Sequence, residues 1–105
     1  MEVNIIKENG STTVKLEGRL DTPAAIEVSK AIEPVLAPEI AGGVIILECQ
    51  DMSYISSSGL RIFLTIRKAS SAAGGKVIVR HISKDILQVF MMTGFLNLFQ
   101  IEDAE

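Results

Sequence analysis

The sequence predicts a single α/β domain in which a mixed sheet of about four to five strands is packed by three or more helices. Three observations support this class: an N-terminal hairpin pattern, a central aliphatic run, and helical apolar spacing between the later strands. A length of 105 residues corresponds to one domain, which we expect to cover residues 1–105. The predicted order is β-β-α-β-α-β-α-β, so strands joined by a helix should pair in parallel.

The first 17 residues have the pattern of a β-hairpin. Asn9-Gly10 lies between two runs in which apolar and polar residues alternate. Asn-Gly favours a tight hairpin turn because both residues tolerate positive φ. We expect Gly18 to end the second strand.

The next segments alternate between helix and strand. Thr22-Pro23 predicts a helix start, with Thr22 as the N-cap and proline in the first turn. Pro34 interrupts the apolar spacing that follows, so this helix should break near it. The continuous aliphatic run 44–47 is typical of a strand buried on both faces in the middle of a sheet. Residues 48–56 are predicted to be a polar connection.

The second half repeats the alternation. A second helix is expected to begin near Ser57 or Ser58 and to end at Gly74-Gly75. Residues 77–79 form the next strand, and Ser83 caps a third helix that ends at Thr93-Gly94. Residues 95–101 are predicted to be a short extended segment.

Composition excludes several classes of partner. The net charge of −3 and the absence of long Lys/Arg runs argue against nucleic acid, because phosphate neutralisation needs a basic stripe. No apolar stretch approaches the roughly 20 residues of a membrane span, so no membrane insertion is expected. The lone Cys49 fits a reducing compartment, and we expect a cytoplasmic protein with a small, buried, unreactive thiol at that position.

The stretch from Tyr54 to Leu60 is the most informative part of the chain. It joins a buried strand to a buried helix and brings three serine hydroxyls to the helix N-terminus, where free N–H groups and the helix dipole favour negative charge. Its simplest interpretation is helix capping, since serine is a preferred N-cap.

Enzymatic patterns are not found in this stretch. A nucleophile elbow requires glycine two residues before and two after the serine, and neither Ser57 nor Ser58 meets this requirement. His81 is the only candidate base, and the P-loop pattern is absent because Leu60 and Arg61 follow Gly59. Metal-ligand spacing is absent as well. We therefore expect no enzyme activity, no cofactor and no metal.

Taken as a whole, the chain resembles the STAS domain family, and in particular its single-domain anti-sigma-factor antagonists. The resemblance covers essentially all 105 residues. It rests on four segments in the same order as in the family: Leu16-Glu17-Gly18-Arg19-Leu20-Asp21, Val44-Ile45-Ile46-Leu47-Glu48, Ser57-Ser58-Gly59-Leu60 and Met92-Thr93-Gly94-Phe95. Together these segments predict a STAS-like fold.

The resemblance implies a switch controlled by serine phosphorylation. In the family, an anti-sigma factor that is also a serine kinase binds the unphosphorylated antagonist and phosphorylates it, and a phosphatase reverses the modification. The acceptor falls on Ser57 here, with Ser56 and Ser58 as rivals. The family's Asp before the acceptor is Ser56 in this chain, and its Asp at the end of the central strand is Glu48. The residues expected to contact the partner at this end of the helix are Asp21, Ser56, Ser57, Ser58, Gly59 and Arg61.

The third helix suggests an extension of this surface. If Ile86, Leu87, Phe90 and Met91 face the core, Val89 and Met92 point outward and would also contact the partner. Scattered surface hydrophobic residues would give the same pattern.

Two other functions fit the same sequence. A constitutive STAS subunit of a lipid-transport or transporter complex would bind its partner without being phosphorylated, as the Ser56 departure allows. A nucleotide-binding or weakly hydrolytic activity at the serine-rich helix start is the other alternative.

Overall fold

A computed structural model describes residues 1–104 as a six-stranded mixed sheet with its helices packed on one face. The strands are β1 (Glu2–Glu8), β2 (Ser11–Leu20), β3 (Val44–Glu48), β4 (Met52–Ile55), β5 (Lys76–Arg80) and β6 (Gln100–Glu102). The helices are α1 (Thr22–Ala31), α2 (Pro38–Ala41), α3 (Ser57–Ala72) and α4 (Lys84–Thr93), with 3-10 turns at Glu33–Leu36 and Phe95–Leu98. The predicted α/β class with a mixed sheet is confirmed.

The sheet order is β1-β2-β3-β5-β6, and β4 pairs with the far end of β2. The β1–β2 hairpin is antiparallel and turns at Gly10, whose φ is 75°. All other pairings are parallel, as expected for strands joined by helical crossovers. The predicted hairpin and the central position of β3 are both confirmed.

The core lies between the helices and one face of the sheet. Strand residues such as Val14, Leu47 and Val79 alternate onto that face and are fully buried. The expectation that β3 is buried on both faces was wrong. Val44 and Ile46 point to the other face and are only half-buried, because the helices pack on the opposite side.

Strand β4 was missed by the sequence reasoning. Its four residues have the burial pattern buried-exposed-exposed-buried, which lacks the strict alternation of a strand. β2 also runs past Gly18 to Leu20, and its last three residues pair with β4. Gly18 has a φ of 107° but does not end β2. The register shifts between Gly18 and Arg19 because β4 carries one extra residue there, Ser53.

Three further local differences have simple causes. Asp21, and not Thr22, caps α1: its Oδ1 accepts a hydrogen bond from Ala24 N at 3.0 Å. Pro34 ends α1 as predicted, but a short helix, α2, follows with Pro38 in its first turn. Residues 95–101 begin with a 3-10 turn and only then form β6, because Gly94 adopts a left-handed φ of 78° that redirects the chain.

Helix α3 begins at the predicted place and is capped by Ser56. The Ser56 Oγ accepts a hydrogen bond from Gly59 N at 3.1 Å, while Ser57 is the exposed first residue of the helix. Within residues 1–104, none of the helices is long and apolar enough to cross a membrane.

Replacing the capping serine should therefore destabilise the domain more than replacing its neighbour. We expect Ser56→Ala to lower the free energy of unfolding by about 1 kcal/mol, since an N-cap hydrogen bond is lost. Ser57→Ala should change it by less than about 0.5 kcal/mol, as is typical of surface substitutions. Urea unfolding of both variants measures the difference, and equal losses would contradict the assignment of Ser56 as the cap.

Candidate partner-binding site

The N-termini of α1 and α3 lie side by side because the strands before them are paired. Leu20 at the end of β2 pairs with Ile55 at the end of β4, and Ser56 N donates to Leu20 O at 2.9 Å. Each helix starts directly after its strand, at the capping residues Asp21 and Ser56. This edge of the sheet therefore presents two helix N-termini at once.

The three serines at the start of α3 have different environments. Ser56 is half-buried and its hydroxyl is used by the cap. Ser58 is half-buried and lines a groove between α1 and α3. Ser57 is exposed, and within residues 1–104 its hydroxyl makes no recorded hydrogen bond to a protein group. Of the three hydroxyls, that of Ser57 is the most accessible to another protein.

Gly59 allows α3 to sit tightly against the strand ends. A Cβ at this position would lie 2.7 Å from Leu20 Cγ and 2.9 Å from Ile55 Cγ1. Such contacts are shorter than carbon atoms tolerate, so a side chain would push the helix start outward. Gly59 is buried and acts on the site by positioning Ser57, and its own surface is not available to a partner.

A groove of about 270 Å³ runs between α1 and α3 beside the serines. Its lining includes Thr22, Ile26, Ser29, Ser58, Arg61 and Thr65. Ile26 is 60% exposed, which is unusual for a large aliphatic side chain. The predicted residue Arg61 is exposed on the same groove. Sequence reasoning missed Ile26, since its position on α1 did not by itself show that it borders the α3 start.

Arg19 and Tyr54 form a second feature that was not predicted. The Arg19 guanidinium carbon lies 4.3 Å from the centre of the Tyr54 ring, within the range of a cation–π contact. The pair lies one residue before Leu20 and Ile55 on the paired strands, so it borders the two helix N-termini. The sequence offered no signal for it, because the contact depends on β4.

The predictions for α4 are partly wrong. Met92 is 83% exposed as expected, but Met91 is also 59% exposed and does not face the core. Val89 is half-buried against the core and does not point freely outward. The buried stripe of α4 is centred on Ile86 and Phe90, and successive residues turn by about 100°, which carries Met91 out of the core.

Cys49 and His81 directly follow the C-terminal ends of β3 and β5, and not the strands that lead into α1 and α3. His81 Nδ1 lies 2.9 Å from both carboxylate oxygens of Glu48, and its Nε2 lies 3.8 Å from Asp103 Oδ2. The imidazole is thus held by carboxylates, and its recorded contacts within residues 1–104 do not include a serine. Burial, with a smaller contribution from the Glu48 charge, raises the pKa of Cys49 to about 12, so this thiol is neutral at physiological pH.

The described residues contain no group of three or more His, Cys, Asp or Glu side chains arranged to hold a metal ion. The α1–α3 end thus presents one exposed hydroxyl, a groove lined mainly by polar side chains with the exposed Ile26 on its wall, and the Arg19–Tyr54 pair. Tyrosine and arginine are the residue types most enriched at protein–protein contacts. The arrangement suits the recognition of another protein.

A protein of known role is similar in sequence over nearly the whole chain. An anti-sigma-B factor antagonist from Bacillus subtilis is 28% identical over 103 residues, which cover 96% of this chain and 92% of that protein. This relative is named as a regulator and not as an enzyme, in agreement with the prediction of a non-enzymatic module.

Solved structures share the fold. The anti-sigma factor antagonist SpoIIAA in its unphosphorylated form superposes with a TM-score of 0.76 at 20% identity, covering 99% of this chain and 90% of that chain. The phosphorylated form of Bacillus SpoIIAA gives 0.71 at 20% identity, covering 95% and 90%. A sulfate transporter family protein from Wolinella succinogenes gives 0.75 at 15% identity, covering 94% and 81%.

The STAS domain model matches residues 2–105, which is almost the whole chain. With the hairpin, the parallel crossovers and the serine-rich start of α3 in the order that the resemblance predicted, this match shows that the chain belongs to the STAS domain family.

Proposed function

We propose that this chain antagonises an anti-sigma factor by presenting the start of α3 to it, and that phosphorylation of Ser57 by this partner, a serine kinase, ends the interaction. The observation that carries the proposal is the exposed hydroxyl of Ser57 beside the capping Ser56. The name of the B. subtilis relative supports the general role. A phosphatase would restore the binding form.

Access favours Ser57 over its two rivals. A kinase must surround the acceptor hydroxyl and direct it at the transferred phosphoryl group. The Ser56 hydroxyl is turned toward the helix by its bond from Gly59 N, and Ser58 is half-buried in the groove. Phosphorylation of Ser56 would require its capping bond to break, and Ser58 is less accessible than Ser57, which is exposed on the folded domain.

The phosphate should act on the partner and leave the fold intact. Phosphorylation adds a charge of about −1.5 to −2 at the first residue of α3. The helix dipole there stabilises a negative charge by about 0.3–1 kcal/mol, so the folded domain tolerates it. A partner that packs against this surface must instead desolvate the dianion. A loss of about 3–4 kcal/mol would weaken binding several hundredfold.

Ser56 in place of the family's Asp preserves one property and removes another. Asp and Ser are both strong N-caps, and the observed bond to Gly59 N supplies the cap. The lost carboxylate would have carried a negative charge beside the acceptor. Its absence leaves the first turn of α3 without an acidic residue, so the change made by the phosphate is larger.

The surface available for docking surrounds Ser57. Ile26 and Arg61 on the groove and the Arg19–Tyr54 pair supply apolar area and hydrogen-bond donors. The Asp21 carboxylate is partly occupied by capping α1, so we assign it mainly a positioning role.

The phosphorylation step is tested by intact-mass analysis of the chain after incubation with ATP and the kinase that co-purifies with it. We expect one added phosphate on the native chain and none on Ser57→Ala, with Ser56→Ala and Ser58→Ala still modified. Modification of Ser57→Ala to the native extent would assign the phosphate to another residue.

The consequence for binding is tested with Ser57→Asp. We expect this variant to keep the native circular dichroism spectrum and melting temperature, and to bind the co-purified partner at least about tenfold more weakly, since the added charge must be desolvated at the interface. Ser57→Asn is the matched control, because it has a similar volume without the charge. Unfolding of Ser57→Asp, or native affinity, would contradict the proposed mechanism.

The exposed methionines of α4 test how far the interface extends. We propose that Met92 contacts the same partner, as its 83% exposure permits. Met92→Glu should then weaken binding by about tenfold without loss of stability, whereas the matched exposed change Lys68→Glu on α3 should not. Unchanged affinity of Met92→Glu, measured by calorimetry, would remove α4 from the interface.

The second candidate is a constitutive subunit of a lipid-transport or transporter complex. The missing Asp before Ser57 and the shared fold with the Wolinella protein favour it. If the co-purifying partner is an ATPase subunit and Ser57 carries no phosphate, the constitutive role is favoured over the phosphorylation switch.

A further inference from the structure

A second cavity, of about 220 Å³, lies at the other end of α3 from Ser57. Helix α3 has 16 residues and is therefore roughly 24 Å long, so the two ends are well separated. The cavity is bounded by the last turns of α3, the start of β5 and the segment that enters β6. Its polar lining residues are Arg67, Ser70, Ser71, Lys76 and Gln100.

The cavity is cationic although the chain is acidic overall. Two of its lining residues, Arg67 and Lys76, are basic, and none is Asp or Glu. The ion pairs recorded among residues 1–104 do not involve either of these two cations. In a chain of net charge −3, this lining groups two basic side chains that no ion pair within the described part of the chain engages, while the nearby Glu102 carboxylate accepts a hydrogen bond from Gln100 Nε2 at 3.0 Å.

One cation is held in place and can still donate. Arg67 Nε donates to Leu98 O at 2.7 Å, which fixes the guanidinium at the cavity wall. The terminal nitrogens of the guanidinium carry further N–H donors that this bond does not use. A fixed guanidinium loses less conformational entropy when it binds an anion than a mobile one.

The C-terminus of α3 repels an anion less strongly than a helix C-terminus whose carbonyl oxygens are all unbonded. Gly75 N donates to Ser70 O at 2.8 Å and Gly74 N donates to Ser71 O at 3.3 Å. These bonds occupy carbonyl oxygens that would otherwise repel an anion. The open edge of β5 adds to the site, because β6 begins to pair only at Ile78 and leaves Val77 on the cavity wall.

We propose that this cavity binds a small oxyanion with the chemistry of a phosphate group, held by the side chains of Arg67 and Lys76. The volume lies below the roughly 300–1,000 Å³ of pockets for drug-sized ligands, so a single phosphate fits better than a nucleotide. This site is independent of the proposed switch at Ser57.

The test is a titration of the full, unphosphorylated chain followed by ¹H–¹⁵N NMR at constant ionic strength. Inorganic phosphate should produce saturable shifts at the amides of Gly75 and Lys76 and at Arg67 Nε, while chloride should not. A parallel titration with glycerol phosphate tests the source of the phosphate group. If the site takes phosphomonoesters, glycerol phosphate binds as well as inorganic phosphate does. If the site takes only the free ion, glycerol phosphate does not bind. Shifts centred on the amides 57–60, or equal shifts with chloride, would overturn the proposal.

One variant and one control complete the test. Lys76→Gln removes a charge from an exposed strand position and should weaken phosphate binding about tenfold. Lys68→Gln removes an exposed cation of α3 that does not line the cavity and should bind as the native chain does. Native affinity in Lys76→Gln, or an equal loss in Lys68→Gln, would show that the anion is held elsewhere.

Discussion

The parallel pairing of β2 with β4 is the constraint on which the candidate site depends. Three residues at the end of β2 pair with β4, and the bond from Ser56 N to Leu20 O places the start of α3 beside that of α1. The length of β2 makes this possible, since its first half pairs with β3 at residues 11–15 and its last three residues pair with β4. Without the pairing of β2 with β4, the serine-rich segment would be an ordinary loop, and its hydroxyls would have no defined orientation.

The close packing of α3 against the ends of β2 and β4 gives the adjacent residues Ser56 and Ser57 different environments. Gly59 brings the helix against Leu20 and Ile55, which turns Ser56 inward as the cap and leaves Ser57 outward. An N-cap and a phosphoacceptor have opposite requirements, because the first must be engaged and the second must be free. In the proposed switch, the start of α3 supplies both at consecutive positions, and its dipole tolerates the added phosphate. We therefore expect a phosphate on Ser57 to change the affinity for a partner without changing the fold.

Helix α3 also connects the two ends of the molecule through a well-packed core. Phe63 in its middle packs edge-on against Phe90 of α4 at 5.8 Å and against Phe99 at 6.1 Å, so the helix is anchored on its buried side. The surface at one end carries the exposed Ser57 and the groove between α1 and α3, and the other end carries the cationic cavity. A rigid helix of this kind presents both surfaces without requiring either to move.

Several elements could be predicted from the sequence because each has a strong local cause in turn chemistry, hydrophobic pattern or capping: the fold class, the hairpin at Asn9-Gly10, the central strand β3, the break at Pro34 and the start of α3. The three serines and the resemblance to the STAS family could also be recognised there. The structure was needed to show which serine is the cap, that Asp21 caps α1 in place of Thr22, and that Met91 is exposed beside Met92. Strand β4, the Arg19–Tyr54 contact and the cationic cavity lay beyond sequence reasoning for the same physical reason. Each is formed by residues distant in the chain, and local patterns do not report which distant segments meet.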